Sequence, residues 1–135
     1  MICHRKNPNG FTLVEVLIAL AILSIGLLAL AGLQVVVIKA NAGSKNLTSA
    51  VILAEAKIEE LKRNGFGSLT NGNFQDPNNP VNETGQAGGI FTRSWVIDNY
   101  FGSADMKQII VTLTWTDSLG NHNIPVTTVF SRAVD

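Results

Sequence analysis

An apolar stretch near the N-terminus constrains this chain more than any other feature. Between Val16 and Leu33 no side chain carries a charge, and Ser24 is the only polar one. A run of this kind can cross a bilayer as a helix, since roughly 20 residues at about 1.5 Å each span the hydrocarbon core. The run therefore predicts a membrane-spanning helix, with one acidic residue, Glu15, standing at its start.

The short segment before this run, residues 1–10, is polar and basic. It contains Arg5 and Lys6, and basic residues on the N-terminal flank favour a cytoplasmic flank with export of the remainder. A secretory signal is cut after its apolar core, but here the core is too long for that pattern. No well-placed Ala-x-Ala site ends it, because the chain continues as Gln34-Val35-Val36-Val37-Ile38-Lys39. We therefore predict a basic cytoplasmic leader over residues 1–10 and retention of the apolar segment.

Charge and cysteine content limit the classes of function. Lys and Arg together number 10, as do Asp and Glu, so net charge gives no general attraction to nucleic acid. Because two of the basic residues lie in the leader, the chain after Gly10 has slightly more acidic than basic side chains. Cys3 is the only cysteine, which excludes an internal disulfide and a thiolate metal site.

A helical pattern continues beyond the apolar run. Apolar residues recur at the spacing of one helical face, and they are Leu47, Val51, Ala54, Ile58 and Leu61. Asn64-Gly65 supplies a stop signal after basic residues that suit the end of the helix dipole. We predict one helix from about Thr12 to about Arg63, with a membrane-spanning and assembly half over residues 11–38 and an amphipathic half over residues 39–63.

The remainder of the chain divides into a loop and a β-rich end. Residues 64–90 are rich in Gly, Asn and Pro and predict a long connecting loop. Residues 91–135 alternate between apolar and polar side chains and predict antiparallel strands. The expected strands are Phe91–Asp98, Met106–Thr116 and a returning strand marked by Ile124, Val126 and Phe130, with a turn at Asp117–Asn121. Pro125 lacks an N–H, so the returning strand is expected either to lie at an edge of the sheet or to pair imperfectly near the turn.

Two or three strands do not form a stable unit in water by themselves. They need the apolar face of the amphipathic half of the helix to close a core. We therefore predict an α+β fold in which one long N-terminal helix packs on a small antiparallel β-sheet. Trp95 and Trp115, at alternating strand positions, are expected in that core.

The residues that could suggest catalysis or metal binding are better explained as ordinary surface and turn residues. His122 stands beside the turn and is expected to be exposed, with no Ser, Cys or carboxylate spaced to form a triad with it. Asp76, Asp117 and Asn121 could suggest calcium, but Asp-x-x-Gly is also ordinary turn chemistry, which we favour. We therefore predict no catalytic residue, no cofactor and no metal site, so the protein is not expected to be an enzyme.

Three cations, Arg93, Lys107 and Arg132, could form a small basic patch for DNA. Scattered cations of this number usually belong to a solvated face. A nucleic-acid partner is therefore not expected.

The segment Gly10-Phe11-Thr12-Leu13-Val14-Glu15-Val16 resembles the start of the type IV pilin-like family. Precursors in that family carry Gly-Phe-Thr-Leu-x-Glu between a basic leader and a long apolar helix. Further stretches resemble PilV-type minor pilins and are also similar to the I-type minor pseudopilin of type II secretion. They are the segment Ile52 to Leu61 and the closing pattern of Lys107, Val111, Trp115, Asp117, Gly120 and Arg132.

The resemblance implies a role for three residues of this segment. Gly10 would be the last leader residue, recognised by a prepilin peptidase, and Phe11 would become the new N-terminus and be N-methylated by the same enzyme. Glu15 would meet the freed amine of Phe11 on a neighbouring subunit during assembly. A carboxylate within the membrane costs about 2.5–3.5 kcal/mol on insertion scales and normally marks a functional partner, which supports that role.

The resemblance also implies where the protein works and with what. The precursor would cross the bacterial inner membrane once, with its leader in the cytoplasm and its head in the periplasm, and would then enter a pilus at the cell surface. Its partners would be the prepilin peptidase and other major and minor pilins, contacted through the N-terminal helix.

Many major pilins carry a proline about where Gly32 stands and a disulfide-closed C-terminal loop, and this chain has neither. We therefore expect a minor pilin that helps to initiate, assemble or modify a type IV pilus. A minor pseudopilin of type II secretion is the first alternative, and a tip adhesin or DNA-uptake pilin is the second. A membrane-tethered enzyme is disfavoured because the sequence lacks a nucleophile–base or metal constellation.

Overall fold

The computed structural model describes residues 10–132, so the leader residues Cys3, Arg5 and Lys6 lie outside the described part of the chain. The chain divides into two compact units, Met1–Ile38 and Lys39–Asp135. Helix α1 contributes to both units, and its bounds, Leu13–Arg63, agree closely with the predicted helix.

The first unit consists, in its described part, mainly of the beginning of helix α1. Its large apolar side chains are exposed from Leu13 to Ile38. The hydroxyl of Ser24, the one polar side chain of the apolar run, donates to the Leu20 carbonyl at 2.7 Å and so finds a partner within its own helix. By length and composition, this helix could cross a membrane.

The second unit combines the last part of helix α1 with a four-stranded antiparallel sheet. The strands are β1 (Gly72–Gln75), β2 (Thr92–Asn99), β3 (Met106–Asp117) and β4 (Gly120–Ser131). Each strand pairs with the next one along the chain, so the sheet order is β1-β2-β3-β4. One face of this sheet shares a core with the helix, and the predicted α+β class is confirmed.

The middle of the core comes from strand β3. Ile109, Val111 and Leu113 are fully buried and Trp115 nearly so, because alternate residues of a strand point to the same face. Trp95 is also buried, so both tryptophans lie in the core as predicted. The other buried apolar residues are Ala50, Leu53, Ala54 and Ile58 of the helix together with Leu69, Val81, Phe91 and Ile97.

The buried face of the helix overlaps the predicted one but is displaced from it. Ala54 and Ile58 are buried as predicted, whereas Leu47 is 46% exposed and Ala50, Leu53 and Lys57 are also buried. Contacts with strand β2 lie on this side of the helix. The Lys57 ammonium stands 4.2 Å from the centre of the Trp95 ring, and Arg93 donates to the Leu53 carbonyl.

Strand β1 lies within residues 64–90, a segment predicted to be a connecting loop. It has only four residues and one apolar side chain, Phe74, so no alternating pattern marks it in the sequence. Its pairing partner supplies the strand conformation, since Phe74 stacks on Trp95 with ring centroids 5.9 Å apart. The sheet therefore has four strands rather than the predicted two or three.

Strands β3 and β4 form a long hairpin joined by the two residues Ser118 and Leu119. Asp117 accepts a hydrogen bond from the Leu119 N–H at 2.8 Å, which confirms the turn role predicted for this residue. Strand β4 is an edge of the sheet and its register with β3 runs unbroken past Pro125, so the first of the two alternatives for this proline is confirmed.

Candidate functional site

The residues predicted for processing and assembly lie at the beginning of helix α1. Gly10 and Phe11 precede the helix in irregular, exposed backbone, and 87% of Phe11 is exposed. A Cβ at Gly10 would meet no atom within 4 Å. Packing among the described residues therefore gives no reason for glycine here, and any requirement for it has to come from a partner that binds this segment.

Thr12 and Glu15 cap the helix reciprocally. The Thr12 N–H and hydroxyl both donate to Oε2 of Glu15 at 3.0 Å, and the Glu15 N–H donates to the Thr12 hydroxyl at 3.2 Å. These are the bonds of a capping box, in which a Ser or Thr before the helix and a Glu three residues later satisfy each other's backbone donors. Helix α1 therefore starts at a defined residue, one position after Thr12.

The cap also gives Glu15 a partner, Thr12, that was not predicted from the sequence. The signal was present as Thr-x-x-Glu directly before an apolar run. Among residues 10–132 no cation pairs with Glu15, and its Oε1 makes no hydrogen bond. One carboxylate oxygen thus holds the helix start, and the other is available to a donor from outside the described chain.

A second polar cluster, in the head, is centred on Asp117. Its Oδ2 accepts from Asn46 of the helix and from the indole of Trp115, each at 3.2 Å. The Leu119 N–H, and after it His122, lower the pKa of Asp117 well below its usual range, against a smaller opposing effect of burial. The cluster ties the β3–β4 turn to the helix.

His122 differs from its prediction. Its side chain is 31% exposed rather than fully solvated, and its ring stacks on Trp115 with centroids 4.9 Å apart. Its Nε2 lies 2.9 Å from Oδ1 of Asp117, and because a carboxylate only accepts, this nitrogen donates. Strand β4 places alternate residues on the inner face, which carries His122 over Trp115, its partner in the strand pairing.

Arg93 corrects a further expectation, because it is not part of a solvated face. Its side chain is 9% exposed, and its Nε donates to Oδ2 of Asp76 at 2.8 Å. Its Nη1 donates to the Leu53 carbonyl of the helix at 3.1 Å. Arg93 shares the inner face of β2 with Trp95, and Asp76, directly after β1, supplies the charge that a buried guanidinium requires.

The environment of Asp76 keeps it ionised. Burial raises the pKa of Asp76, but the Asn78 N–H and the Arg93 guanidinium together lower it by more, so the pKa lies below its usual value. Asn79 reinforces the same corner, since its side chain accepts from the Arg93 N–H and donates to the Arg93 carbonyl, each at 2.8 Å. This pair fixes the segment after β1 to the core.

The remaining two cations of the predicted basic group are engaged separately. Lys107 donates to the side-chain oxygen of Asn99 at 2.7 Å and to that of Asn71. Nη1 of Arg132 lies 3.8 Å from Oδ1 of Asp105, and both side chains are exposed. With Arg93 buried, the three do not form one basic surface. Within residues 10–132, no group of three or more His, Cys, Asp or Glu side chains is arranged to hold a metal ion.

Comparison with known proteins identifies the N-terminal segment. The family described as "Prokaryotic N-terminal methylation motif" matches residues 5–31, which include Gly10, Phe11 and Glu15. No curated protein and no solved structure matches the chain.

The match has consequences for processing, assembly and membrane anchoring. It implies cleavage by a prepilin peptidase and assembly with other pilins, and proteins with this motif are generally structural subunits rather than enzymes. The motif and the exposed apolar start of helix α1 both fit membrane anchoring. The N-terminal methylation motif therefore indicates that this chain is the precursor of a type IV pilin or pseudopilin, a type IV pilin-like protein.

Proposed function

We propose that this protein is a minor pilin that takes part in the initiation, assembly or modification of a type IV pilus. The observation that carries the proposal is the methylation motif at residues 5–31, which runs into an apolar helix that also forms part of a small α+β head. A prepilin peptidase cuts after Gly10 and N-methylates Phe11, and the mature subunit then joins other pilins through its N-terminal helix.

The accessibility of the proposed cleavage site supports this sequence of events. Gly10 and Phe11 are exposed and lie outside the helix, so a peptidase reaches the bond between them without unwinding α1. The space around Gly10 is empty among the described residues, so a larger residue there fits the fold. A loss of cleavage on substitution is then a property of recognition by the enzyme.

Glu15 is the proposed assembly residue. The cap with Thr12 holds its carboxylate at the start of the helix, within four residues of the N-terminus that cleavage creates. The unused Oε1 accepts the ammonium of Phe11 from a neighbouring subunit. Such a pair offsets the cost of a carboxylate in an apolar environment and sets the axial position of one subunit against the next.

The proposed location follows from the anchor. The precursor spans the bacterial inner membrane once, with the basic leader in the cytoplasm and the head in the periplasm, and later becomes part of the pilus at the cell surface. The basic flank of the apolar run supports this orientation. The chain has no cysteine pair for a disulfide-closed loop and no proline in the apolar run, which supports a minor subunit over an abundant one.

A minor pseudopilin of a type II secretion system is the alternative function. It needs the same leader, anchor and head, and it differs only in the assembly that it joins. A tip adhesin or DNA-uptake role gains no support from the head, because the buried pairing of Arg93 with Asp76 removes one of the three cations considered for a DNA-binding patch.

Deletion of the gene tests the assignment. We expect loss or marked reduction of surface pili and of twitching motility, with normal secretion of exoenzymes, and rescue by the wild-type gene. Normal pili with lost secretion would overturn the pilus assignment and support the pseudopilin.

A further inference from the structure

The two edges of the sheet differ in what protects them. Strand β1 has only four residues, and the chain after it continues along β2 through the bond from the Asp76 N–H to the Arg93 carbonyl and a bridge between Val81 and Phe91. Strand β4 has twelve residues, and in the described part of the chain no strand pairs with its outer side. Short edge strands offer few groups for pairing with another chain, and β4 is three times as long as β1.

The register of the hairpin identifies which groups of β4 point outward. Asp117 faces Gly120 across a two-residue turn, and such flanking residues bond to each other across the strands. Alternate residues from there on bond to β3, and those between them direct N–H and C=O to the free edge. The outward residues are Asn121, Asn123, Pro125, Thr127, Val129 and Ser131.

Pro125 fits this assignment because its missing N–H falls on the unpaired side, where a strand tolerates proline. It interrupts the row of donors in the middle of the edge. Beyond it, Thr127, Val129 and Ser131 present an uninterrupted set of outward N–H and C=O groups. The C-terminal part of β4 is therefore the part able to pair.

The edge also lacks the charges that usually prevent pairing. From Gly120 to Ser131 there is no Asp, Glu, Lys or Arg. The one titratable residue, His122, faces inward against Trp115. Solvent-exposed edges are normally guarded by charged side chains, lysine above all, so an uncharged edge of this length is suited to accept another strand.

Strand direction indicates which strand fits. Under the proposed function the helices of neighbouring subunits are parallel, so the segments of α1 after Lys39 run in the same direction in two such heads. In the order β1-β2-β3-β4 with antiparallel neighbours, β1 and β4 run in opposite directions. A second head of this topology, with its α1 segment parallel to that of the first, presents its first strand antiparallel to β4. Pairing two copies of β4 about a two-fold axis between antiparallel strands would instead invert one head.

We propose that the segment Thr127–Ser131 binds the first edge strand of a different pilin-like protein by antiparallel backbone pairing. This inference rests on the proposed function, which makes the partner another pilin-like subunit and makes this chain a low-copy component. The pairing joins the two sheets into one, with Val129 at its centre on the outer face. The interface is heterologous, so it is compatible with a polar assembly.

Photo-crosslinking in cells tests the pairing in the full-length protein. A photoreactive amino acid replaces Val129 in one strain and Val96 in the control strain. The two valines are matched, since Val129 is 42% exposed and Val96 is 40% exposed on the same sheet face. Val96, however, lies in β2 with β1 on one side and β3 on the other, so its backbone has no free edge. We expect position 129 to crosslink to a different protein with the N-terminal methylation motif, about ten-fold more than position 96.

Three results would overturn the proposal. They are equal or absent crosslinking at the two positions, a crosslink only to a second copy of this chain, and a crosslink only to proteins without the motif. With the photoreactive group moved to position 127, Val129→Lys should lower the crosslink yield about ten-fold, whereas Val96→Lys should leave it unchanged. Equal yields from these two variants also contradict backbone pairing at this edge.

The mature N-terminus is measured in the same strains, which separates two kinds of failure. A correctly processed protein whose deletion abolishes pili but which gives no crosslink at position 129 defeats the edge proposal alone. An unprocessed protein, or one whose deletion affects only secretion, defeats the proposed function. Comparable amounts of all variants in the membrane show that the substitutions do not act through folding.

Discussion

The two units of the chain are held by different kinds of contact. In the described part of the first unit, side-chain hydrogen bonds join residues three or four apart, as in Thr12 with Glu15 and Ser24 with the Leu20 carbonyl. In the second unit, Asn46 reaches Asp117, 71 positions along the chain, and Arg93 reaches the Leu53 carbonyl over 40 positions. The first unit exposes its apolar surface, whereas the second buries its own core.

This difference separates the consequences of substitution. The exposed apolar helix of the first unit needs lipid or other helices around it, so changes there should alter processing and assembly while leaving the head folded. The head is held by its buried core and by contacts between residues far apart in the sequence, so changes there should alter its free energy of unfolding while leaving cleavage intact. Each of the next three experiments compares two positions, and a fourth follows the stability of the head against pH.

The largest expected effect is on cleavage. Gly10→Lys should abolish the mature form, because the fold has room for the new side chain and only recognition by the peptidase is changed. Gly26→Ala, at another glycine with no neighbouring atom, should be processed normally. Mass spectrometry should find N-methylated Phe11 at the start of the wild-type and control proteins. Normal processing of Gly10→Lys would show that Gly10 is not recognised.

The largest expected effect on stability comes from Asp76→Ala. It leaves the Arg93 guanidinium buried without its carboxylate, and breaking a buried pair in this way costs about 3–5 kcal/mol. Glu83→Ala is the control, since Glu83 pairs with Lys45 at 3.0 Å between exposed side chains and such pairs contribute about 0–1 kcal/mol. Urea unfolding of the purified full-length protein in detergent, followed by tryptophan fluorescence, measures both. Equal losses would contradict the buried pair.

A smaller effect distinguishes the two roles of Glu15. Glu15→Gln keeps an oxygen for the cap but removes the charge, so cleavage should proceed while incorporation into fibres falls about ten-fold or more. Thr12→Val removes the capping hydroxyl at a cost of about 1 kcal/mol but keeps the carboxylate, so incorporation should persist. Quantifying each subunit in sheared pili against its amount in membranes checks this. Equal loss in both variants would assign the function to the cap rather than to the charge.

The smallest effect concerns acid stability of the head. Because the folded-state pKa of Asp117 is lowered, its contribution is fully present above the ordinary carboxyl pKa of about 4 and declines as pH falls below that value. Asp117→Asn should therefore lose stability at neutral pH and unfold with a weaker pH dependence below about pH 4. A residual dependence from Asp76, whose pKa is also lowered, should remain. An unchanged pH profile of the unfolding midpoint would contradict this role.

The parts of the fold that follow from periodicity could be predicted. The extent of helix α1, the inward face of β3 and the edge position of β4 each come from regular spacing or from the missing N–H of Pro125. Strand β1 could not be predicted this way, because four residues with one apolar side chain show no period. The burial of Leu53 and Lys57 could not be predicted either, because it depends on contacts with Arg93 and Trp95, which lie far away in the sequence.

The polar contacts also differ in whether the sequence could predict them. The cap formed by Thr12 and Glu15 corresponds to a four-residue sequence pattern, Thr-x-x-Glu, and could have been recognised from the sequence. The pairing of Arg93 with Asp76 could not, because it depends on how the segment after β1 returns to β2. From the sequence, Arg93 looks like a surface residue because its neighbours, Thr92 and Ser94, are polar. In the structure it lies on the same buried face of β2 as Trp95.

The capping box also fixes where proteolysis can act relative to the helix. Peptide bonds within a hydrogen-bonded turn are poor substrates, since a protease binds extended backbone, and the cap stops the helical turns from spreading toward Gly10. Phe11, which follows the bond that we propose is cut, lies two positions before the first helical residue, Leu13. Under that proposal each mature copy would begin with the same two non-helical residues, Phe11 and Thr12. The distance from the new amine to the Glu15 carboxylate would then be the same in every subunit.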